Sequence, residues 1–490
     1  MPPEEFPLCD VPKHFTALKP HTTAVRCDGD ELTWADLHHE SNRVAHGLLR
    51  SGVSAGSIVT LALPNGTDVI VSTFACYKVG VTPQPLSPKL TDTERDEILT
   101  LARPAAVVTD ANNPRIAGGV TVDRLRELGA TDEDLPTAIA PSWKAPTSGG
   151  STGHPKIILS GGPATYRGFD ATVWGIGPAD RLLVPAPLHH NAPFATALAA
   201  LFTGATVTLT KKFDPVGTLE EVARNSISWL YLVPTMMRRI HALPDDVKEQ
   251  YDLSSLISVW HVAEPCPPWL KRAWIDWIGP KAVWELYGGT EAQAGCTVNG
   301  REWLAHPGSV GRVAWGEIKI VAADGTDVTS PRTPGEVYMR PEPGNPEPYR
   351  YIGAKPKALD GWESLGDLGE FDEDGYLYLH DRLSDTIIAG GVNIYPAEIE
   401  NALLENASVL SSAVIGLPDP DLGNRVHAIV ETSGDASVTV DAIAAHVSTR
   451  LAPHKRPTSI EIVHEPLRDD TGKMRRSALR AQRLEHAPTS

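Results

Sequence analysis

The stretch TSGGSTGHPK, residues 147–156, constrains this chain more than any other segment. Three glycines and four hydroxyl residues fall within its first seven positions, and a lysine closes it. Glycines let a backbone approach a ligand closely with successive N–H groups turned inward, while hydroxyls add donors and the lysine adds positive charge. The combination suits a polyphosphate, although it matches neither the Walker A pattern nor the Rossmann fingerprint. This segment alone leaves a phosphate-binding loop and a flexible surface loop equally open.

On both sides of this stretch, short β-rich runs alternate with helix-like segments. The run DVIVSTFACYKVG (68–80) predicts a helix. The alternation indicates parallel sheets covered by helices, and the nearly continuous apolar runs indicate strands buried on both faces. The predicted strands are SIVTLALP (57–64), AAVVT (105–109), RLLVPAPL (181–188), ATVTLT (205–210) and SWLYLVP (228–234).

The pattern changes after about residue 305 and again after DRLSD (381–385). EIKIVAADGTDV and GEVYMRP, with D-G and P-G turns, predict antiparallel strands or a small barrel. The remainder is long enough for a small α+β domain of its own, so we expect a linker near Ser384. Its predicted elements are the helices AEIENALLEN and DAIAAHVSTRL and the strands SAVIGLP, RVHAIVET and SIEIVH.

Length and composition narrow the class of protein. The chain has 490 residues, too many for one hydrophobic core, so at least two domains are expected. A formal net charge of −17 argues against general binding to nucleic acid or to anionic membrane. Five scattered cysteines without a C-x-x-C pair argue against a disulfide scaffold and a cysteine-rich zinc site. The start of the chain lacks a signal-like apolar run, and no stretch is apolar enough for a membrane span. We therefore expect a soluble cytoplasmic enzyme.

Five further segments place chemistry-bearing side chains at predicted strand ends or in turns. Taken singly, each has a structural explanation, since an Asp after Gly commonly bonds its own backbone and a histidine at a strand end commonly packs. Their order and spacing make those separate explanations hard to sustain together. The segments are PLHHN (187–191), YGGTE (287–291), Gly366-Asp367, Asp381-Arg382 and Gly472-Lys473.

Together these motifs resemble the adenylate-forming superfamily of acyl-CoA synthetases, peptide-synthetase adenylation domains and firefly-type luciferases. The resemblance covers nearly the whole chain, with TSGGSTGHPK similar to the phosphate loop and YGGTE to the magnesium motif. A narrower similarity, carried by HNAPF, WHVAEPCPPWLKRAW, YGGTE and YRYIGAKPK, is to actinobacterial CoA ligases for bile-acid, steroid or terpenoid acids. The other matching motifs are LTWADL (32–37), YKVGVTPQPLSP (77–88), PLHHN, WESLGDLG (362–369), DRLSDTIIAGGVNIYPAEIE (381–400) and RDDTGKMRRSAL (468–479).

The resemblance implies an α/β protein with a large N-terminal adenylation domain (1–383) and a small mobile α+β C-terminal domain (384–490). The large domain is expected to contain two parallel-type αβ subdomains and a small β-barrel-like subdomain. The implied enzyme is an AMP-forming acid–thiol ligase that uses ATP, Mg²⁺ and coenzyme A. A carboxylate attacks the α-phosphorus of ATP, pyrophosphate leaves, and a thiol then displaces AMP. The expected partners are these small molecules, and a homodimer is left open.

The resemblance also assigns roles to individual side chains. Lys473 is expected to bridge the acyl carboxylate and the α-phosphate, because a long stem lets a mobile domain deliver a point charge. Thr290 donates to the α-phosphate, Glu291 holds Mg²⁺, and His190 gates the acyl or pantetheine passage, with His189 structural. Such chemistry is mostly positioning and charge neutralisation, so no protein nucleophile is expected.

The nucleotide and the acyl group have separate implied sites. Tyr287 lies against adenine, Asp367 accepts from the ribose hydroxyls, and Arg382 contacts ribose or phosphate. The β- and γ-phosphates are assigned to Thr147, Ser148, Gly149, Gly150, Ser151, Thr152, Gly153 and Lys156. The acyl pocket is assigned to Trp260, Ala192, Ala195, Ala263, Gly288, Gly289 and Ala292, with core packing as the alternative for Trp260. The hinge is assigned to Ser384, and the thiol tunnel to Gly390 and Gly391.

The chain departs from the family pattern at several places. Ser384 stands where Asp or Lys is usual, which puts the balance of hinge conformers in doubt. Glu264 stands where small residues are usual, and we expect it to be solvated rather than to line the pocket. PFATALAA (193–200) lacks the carboxylate that would pair with a substrate amine, so a plain carboxylic acid is expected. No G-G-x-S carrier motif is present, which indicates a stand-alone enzyme.

The predicted function is therefore an ATP-dependent acyl-CoA ligase for a bulky, hydrophobic, steroid- or terpenoid-like carboxylic acid. Small side chains at several pocket positions leave volume for a wide acid. The alternatives are an acyl-AMP ligase that loads a carrier protein, an aryl- or fatty-acid CoA ligase, and a nucleotide-binding homologue without turnover. The motif residues Lys473 and Glu291 argue against the last of these.

Overall fold

The structure is a computed structural model of the 490-residue chain. It describes residues 6–110, 116, 118–149, 155–166, 168–342, 347–434, 438–468 and 474–485. Helices and strands alternate through the first part of the chain, as the sequence predicts. Its elements are β1 (Phe6–Pro7), α1 (Val11–Leu18), β2 (Thr23–Cys27), β3 (Asp30–Thr33), α2 (Trp34–Arg50), β4 (Ile58–Ala62), α3 (Thr67–Val79), β5 (Thr82–Pro85), α4 (Asp92–Ala102), β6 (Ala106–Thr109), β7 (Val120–Thr121), α5 (Val122–Gly129) and β8 (Thr147–Gly149).

The predicted strand at 57–64 and helix at 68–80 are confirmed as β4 and α3. β4, β5, β6 and β7 form a parallel sheet in the order β5-β4-β6-β7. The LTWADL motif begins α2, where Thr33 and Asp36 form a capping box that satisfies free N–H groups at the helix start. This sheet is the first of the two predicted parallel αβ units.

The second parallel unit supplies the strands around the candidate site. β2, β12, β11, β13, β14 and β15 are neighbours in that order and pair in parallel. This stretch of the chain, in which β9 and β10 belong to other sheets, contains β9 (Pro155–Ser160), β10 (Thr165–Tyr166), α6 (Phe169–Trp174), β11 (Arg181–Val184), α7 (Asn191–Thr203), β12 (Thr206–Leu209), α8 (Pro215–Asn225), β13 (Trp229–Leu232), α9 (Pro234–His241), α10 (Asp245–Lys248), β14 (Ser258–His261), α11 (Pro268–Ile278) and β15 (Val283–Gly288).

Parallel strands bring their carboxyl ends to one edge of the sheet, which is where ligands bind in α/β proteins. PLHHN follows β11, the AEP segment follows β14, and YGGTE begins in the last residues of β15. Three tryptophans, Trp229, Trp260 and Trp284, stack across β13, β14 and β15, with ring centroids 6.2 and 5.1 Å apart. Trp229 and Trp260 are buried, Trp284 is half-buried, and this ladder fixes the strands from which the site segments leave.

Except for β20, the strands between residues 305 and 382 form an antiparallel sheet, as predicted. Its order runs β18-β19-β22-β23-β17, and it continues through β16 onto β15. The turn containing D-G closes between Ala322 and Thr326. The elements of this region are β16 (Gly295–Asn299), α12 (Gly300–Ala305), β17 (Ser309–Trp315), β18 (Glu317–Val321), β19 (Gly335–Arg340), β20 (Tyr349–Ile352), β21 (Lys357–Leu359), β22 (Trp362–Phe371) and β23 (Leu377–Arg382).

The C-terminal part has its own apolar cluster, drawn from residues 387–451. The predicted helices and strands of this part are confirmed. The domain boundary and the hinge at Ser384 stay predictions. The elements are β24 (Ile387–Ala389), β25 (Val392–Ile394), α13 (Pro396–Leu404), β26 (Val409–Asp419), β27 (Gly423–Thr432), α14 (Val440–Ser448), β28 (Ser459–Val463) and α15 (Arg476–Glu485).

Candidate active site

The glycine- and hydroxyl-rich stretch joins two paired strands. β8 and β9 run antiparallel, with Thr147 opposite Ile157, Ser148 opposite Lys156 and Gly149 opposite Pro155. β20 pairs with the other edge of β9 and makes a three-stranded sheet. Its pairing supports the strand that carries Lys156. The predicted phosphate-loop residues Gly150, Ser151, Thr152 and Gly153 lie outside the described residues.

Lys156 on β9 is in contact with the predicted magnesium ligand Glu291. The Nζ atom of Lys156 donates to Glu291 Oε1 over 3.0 Å and to the hydroxyl of Tyr351 over 2.8 Å. The hydroxyl of Tyr351 donates in turn to Glu291 Oε1. Thr290 lies beside this cluster in the same turn, partly exposed. The structure thus brings together the cation and the carboxylate that the motifs supply.

Gly289 makes room for this carboxylate. A Cβ atom at Gly289 would lie 2.4 Å from Leu365 Cδ1 and 2.8 Å from Glu291 Oε2. A side chain at position 289 would push Leu365 and the Glu291 carboxylate aside, so glycine lets the buried Glu291 side chain lie against the backbone of the turn. A single carboxylate of this kind fits Mg²⁺, which in proteins commonly takes one or two carboxylates and fills its remaining positions with phosphate and water.

Tyr287, Asp367 and Arg382 also come together. The hydroxyl of Tyr287 donates to Asp367 Oδ2 over 2.7 Å, and Arg382 Nε lies 3.4 Å from Asp367 Oδ1. Asp367 and Arg382 are direct partners on β22 and β23. Burial and the neighbouring Asp367 carboxylate raise the pKa of the Tyr287 phenol well above its usual value, so it stays a donor. The three residues form one polar patch at the end of β15, and their nucleotide contacts stay predictions.

The PLHHN turn is pinned by a residue that the motifs did not single out. Buried Asn65 accepts from the backbone N–H of Leu188 over 2.8 Å and donates to the carbonyl oxygens of Ala186 and Thr210. His190 is the residue before α7, and its ring centroid lies 4.2 Å from that of His189. Asn65 follows β4 in LPNG, and an Asn after a strand end is the only local signal of its role.

The residues assigned to the acyl pocket differ in how much of their surface is exposed to solvent. Ala263, Gly288 and Ala292 are exposed, Ala192 and Gly289 are partly exposed, and Ala195 and Trp260 are buried. Trp260 stacks in the tryptophan ladder, which agrees with the alternative that it packs in the core rather than lining the pocket. Ala263 and Ala292 both adopt positive φ angles, at 71° and 55°. Their lining of an acyl pocket stays a prediction.

Glu264 is buried, so our expectation that it is solvated is wrong. Its side chain is 6% exposed, because the loop after β14 folds it back toward the start of α9. Thr235 Oγ1 donates to Glu264 Oε2 over 2.9 Å, and Arg468 Nη1 of the C-terminal part lies 3.8 Å away. Within the described part of the chain, Oε1 of Glu264 is buried without a hydrogen-bond partner. Burial raises the pKa of this carboxyl to about 7, against the opposing effect of Arg468.

Replacing Glu264 with glutamine should make the protein more stable than the wild type at pH 8 and change it little at pH 5. The folded carboxyl, with its pKa raised to about 7, binds a proton that the unfolded chain has lost. Wild-type stability therefore falls as pH rises from about 4.5 to about 7, by up to roughly 3 kcal/mol, and glutamine removes this loss. Thermal unfolding of both proteins from pH 5 to pH 8 measures the difference.

Glu94→Gln is the matched control for Glu264→Gln. Glu94 also pairs with an arginine near the C-terminus, because Arg475 Nη1 donates to its Oε1 over 2.8 Å. That contact lowers the pKa of the Glu94 carboxyl. Replacing this carboxyl with an amide should therefore not stabilise the protein at high pH. A melting-temperature gain for Glu264→Gln that is the same at pH 5 and pH 8 would contradict the prediction.

The predicted hinge and thiol-tunnel residues lie on the surface. Ser384 is exposed in a turn, and its hydroxyl donates to Asp385 Oδ1 over 3.2 Å. Gly390 and Gly391 form the turn between β24 and β25 with φ angles of 57° and 79°, which favour glycine. Lys473, the predicted catalytic lysine, lies outside the described residues.

No helix in the described part of the chain combines the length and apolarity that crossing a bilayer requires.

Comparison with known proteins identifies related sequences and structures. The sequence pattern of the AMP-binding enzyme family matches residues 13–345, and that of the AMP-binding enzyme C-terminal domain matches residues 398–473. A feruloyl-CoA synthase of Amycolatopsis sp. is 32% identical over 487 residues, covering 96% of this chain and 97% of the relative. The long-chain-fatty-acid–CoA ligase FadD13 of Mycobacterium tuberculosis is 28% identical over 478 residues, covering 92% and 93%.

The fold is also similar to that of solved structures. The o-succinylbenzoate CoA synthetase MenE of Bacillus subtilis, in complex with its acyl-adenylate intermediate, superposes with a TM-score of 0.83 at 26% identity. That match covers 96% of this chain and 97% of the other. The same enzyme in complex with ATP and magnesium ion also gives a TM-score of 0.83. The predicted arrangement of a large N-terminal and a small C-terminal part is therefore confirmed.

Proposed function

Because this chain belongs to the AMP-binding enzyme family, we propose that it is an ATP-dependent acyl-CoA ligase for a ring-bearing, hydrophobic carboxylic acid. It is an AMP-forming acid–thiol ligase, and the cosubstrates of that class are ATP, with Mg²⁺, and coenzyme A. The convergence of Lys156 and Glu291, 3.0 Å apart beside the glycine-rich segment, is the observation that carries the proposal. It supplies a phosphate-binding cation and a metal-binding carboxylate at one place.

In the first half-reaction, we assign the protein's part to charge neutralisation and orientation. A substrate carboxylate attacks the α-phosphorus of ATP, the bond to the β-phosphate oxygen breaks, and pyrophosphate leaves. Lys156, Thr147 and Ser148 would hold the β- and γ-phosphates, and Thr290 would donate to the α-phosphate. Mg²⁺, held by Glu291, would supply positive charge to the phosphate oxygens.

The nucleoside half of ATP is assigned to the polar patch of Tyr287, Asp367 and Arg382. The Asp367 carboxylate is partly exposed. It can accept hydrogen bonds from both ribose hydroxyls once Tyr287 or Arg382 moves off one of its oxygens. The ring of Tyr287 would lie against adenine. Fixing the nucleoside in this way positions the α-phosphorus for attack, which is the larger part of catalysis in phosphoryl transfer.

In the second half-reaction, the thiol of coenzyme A attacks the acyl carbonyl carbon, and AMP leaves with the electron pair of the broken acyl–oxygen bond. We assign the passage of the thiol to the Gly390-Gly391 turn and its gate to His190, with rotation of the C-terminal domain about Ser384. Domain 1–383 and domain 384–490 are the units of this rotation. A cytoplasmic location and a homodimer are the accompanying predictions.

Two classes of ring-bearing acid are candidates for the substrate. The narrower sequence resemblance favours bulky polycyclic acids of the steroid or terpenoid type. The Amycolatopsis relative, which is 32% identical and covers 96% of this chain, is named a feruloyl-CoA synthase, and this name favours aryl acids. Small residues among the assigned pocket positions, such as Ala192, Ala195 and Ala263, leave room for either ring system.

A panel of acids distinguishes these classes. The purified chain is incubated with ATP, Mg²⁺ and hydroxylamine together with steroid, terpenoid, aryl and fatty acids, and the trapped hydroxamates are identified by mass spectrometry. We expect aryl or polycyclic acids to give ATP-dependent hydroxamates above the fatty acids. A reaction confined to fatty acids would contradict the ring-bearing class, and no acid-dependent pyrophosphate release from any acid would contradict the ligase itself.

Consumption of the acceptor separates the ligase from its nearest alternative. An acyl-AMP ligase that loads a carrier protein would form the same hydroxamates, since both enzymes make an acyl-adenylate. Only an acyl-CoA ligase consumes free coenzyme A in proportion to the pyrophosphate released. Thiol titration in the presence of the accepted acid therefore decides between the two acceptors, and unchanged free thiol would favour the carrier protein.

A further inference from the structure

Tyr351 lies in the segment YRYIG, and no role in the ligase reaction has been assigned to it. β20 extends the β8–β9 sheet, and Tyr351 is the direct partner of Ile158 on β9. Side chains two positions apart on a strand point to the same face, so Tyr349 and Tyr351 share one. Each donates to a different carboxylate, Tyr349 to Glu363 over 2.6 Å and Tyr351 to Glu291.

The contacts of Tyr351 connect the two charged groups of the site. Its hydroxyl accepts from Lys156 Nζ over 2.8 Å and donates to Glu291 Oε1 over 2.5 Å. Its ring also lies 4.1 Å beneath the Lys156 ammonium, at a distance typical of a cation–π contact.

The two oxygens of Glu291 have different surroundings. Both donors, from Lys156 and from Tyr351, reach Oε1. Oε2 lies against Gly289, and among the described residues it accepts no hydrogen bond. One oxygen therefore has two protein donors, and the other has none among the described residues. A donor on the outer oxygen of a metal-binding carboxylate fixes its orientation and strengthens metal binding.

We propose that Tyr351 is a positioning residue that holds Glu291 Oε1 so that Oε2 faces the divalent cation of the ATP complex. The inference rests on the proposed function, because it needs Glu291 as the metal-binding carboxylate. The Lys156 ammonium is also assigned to the ATP phosphates, which compete with Glu291 Oε1 for its N–H donors. When ATP draws the Lys156 ammonium away, the Tyr351 hydroxyl is the described donor that remains on Oε1.

The test compares Tyr351→Phe with the wild-type full-length chain. Phenylalanine keeps the ring beneath Lys156 and removes only the hydroxyl. Binding of Mn²⁺, as a probe for Mg²⁺, is measured by electron paramagnetic resonance in the presence of α,β-methylene-ATP, whose α–β bridge cannot be cleaved. We expect the Kd for Mn²⁺ to rise about tenfold or more. In pyrophosphate exchange, the KM for Mg²⁺ should rise and most of the kcat should return at saturating Mg²⁺.

Tyr349→Phe is the matched control, because it makes the same change two residues away on the same strand. Its hydroxyl donates to Glu363 and only neighbours the Tyr351 hydroxyl, so the Kd for Mn²⁺ should stay within about twofold of the wild type. Equal Mn²⁺ affinity in Tyr351→Phe and the wild type would overturn the inference, whatever the change in melting temperature. Failure of the wild type to bind the ATP analogue would instead overturn the proposed function and, with it, this role.

Discussion

Replacing Lys473 with alanine should slow acyl-adenylate formation by about 10²–10³-fold and leave thioester formation from supplied acyl-AMP nearly unchanged. The ammonium is proposed to neutralise charge that develops only as the carboxylate joins the α-phosphorus, so its loss raises the barrier of that step alone. In the second half-reaction the C-terminal domain is proposed to present another face, so the lysine should no longer be needed. Acid-dependent pyrophosphate exchange measures the first half-reaction, and coenzyme A consumption from synthetic acyl-AMP measures the second.

Two arginines close to Lys473 in the sequence have partners in the large N-terminal part. Arg468 lies 3.8 Å from Glu264 in the loop after β14, and Arg475 pairs with Glu94 over 2.8 Å. The described residues on both sides of Lys473 thus contact the large N-terminal part. Lys455→Ala is the matched control, because Lys455 lies in the same C-terminal part and pairs with Glu398 near the surface over 2.7 Å. Equal losses of both half-reactions in Lys473→Ala would contradict the assignment.

Replacing Lys271 with methionine should reduce the free energy of unfolding by about 3–5 kcal/mol. The Lys271 side chain on α11 is fully buried, and its ammonium pairs with Glu285 Oε2 on β15 over 2.5 Å. Methionine fills similar volume but leaves a buried carboxylate without its partner, and an unpaired buried charge is costly. Urea unfolding followed by tryptophan fluorescence gives the change.

A double variant tests the origin of this loss. In Lys271→Met with Glu285→Met both charges are absent, so much of the stability should return. Lys13→Met serves as a control, since Lys13 pairs with Asp134 over 2.8 Å but is 60% exposed, and it should cost less than about 1 kcal/mol. A double variant that is as unstable as Lys271→Met would show that packing, not the unpaired carboxylate, causes the loss.

Local pattern was sufficient for most of the secondary structure. The run SWLYLVP became β13 (Trp229–Leu232), and AEIENALLEN became α13 (Pro396–Leu404), each close to its predicted bounds. Alternation of such runs predicted the parallel sheets, because a strand that is buried on both faces needs helices to cover it. The order of the motifs also predicted which segments meet, as Lys156 and Glu291 do from 135 positions apart.

Burial at single positions could not be predicted in the same way. Glu264 follows a strand in a loop, where a charged residue usually meets water, yet α9 and Arg468 enclose it. Trp260 suits either a pocket wall or a core, and its stacking between Trp229 and Trp284 follows from strand order in the sheet. The surroundings of both residues come from distant parts of the chain.

The sequence by itself determined the class of this protein, its two-part organisation and the residue types of its nucleotide site, because periodicity and motif chemistry are properties of short segments. Only the tertiary structure decided that Tyr351 joins Lys156 to Glu291, that Asn65 pins the PLHHN turn, and that Glu264 is buried. Tyr351 and Glu291 are 60 positions apart, and Asn65 and Leu188 are 123 apart. Contacts at such separations depend on strand pairing and packing, which no local pattern encodes.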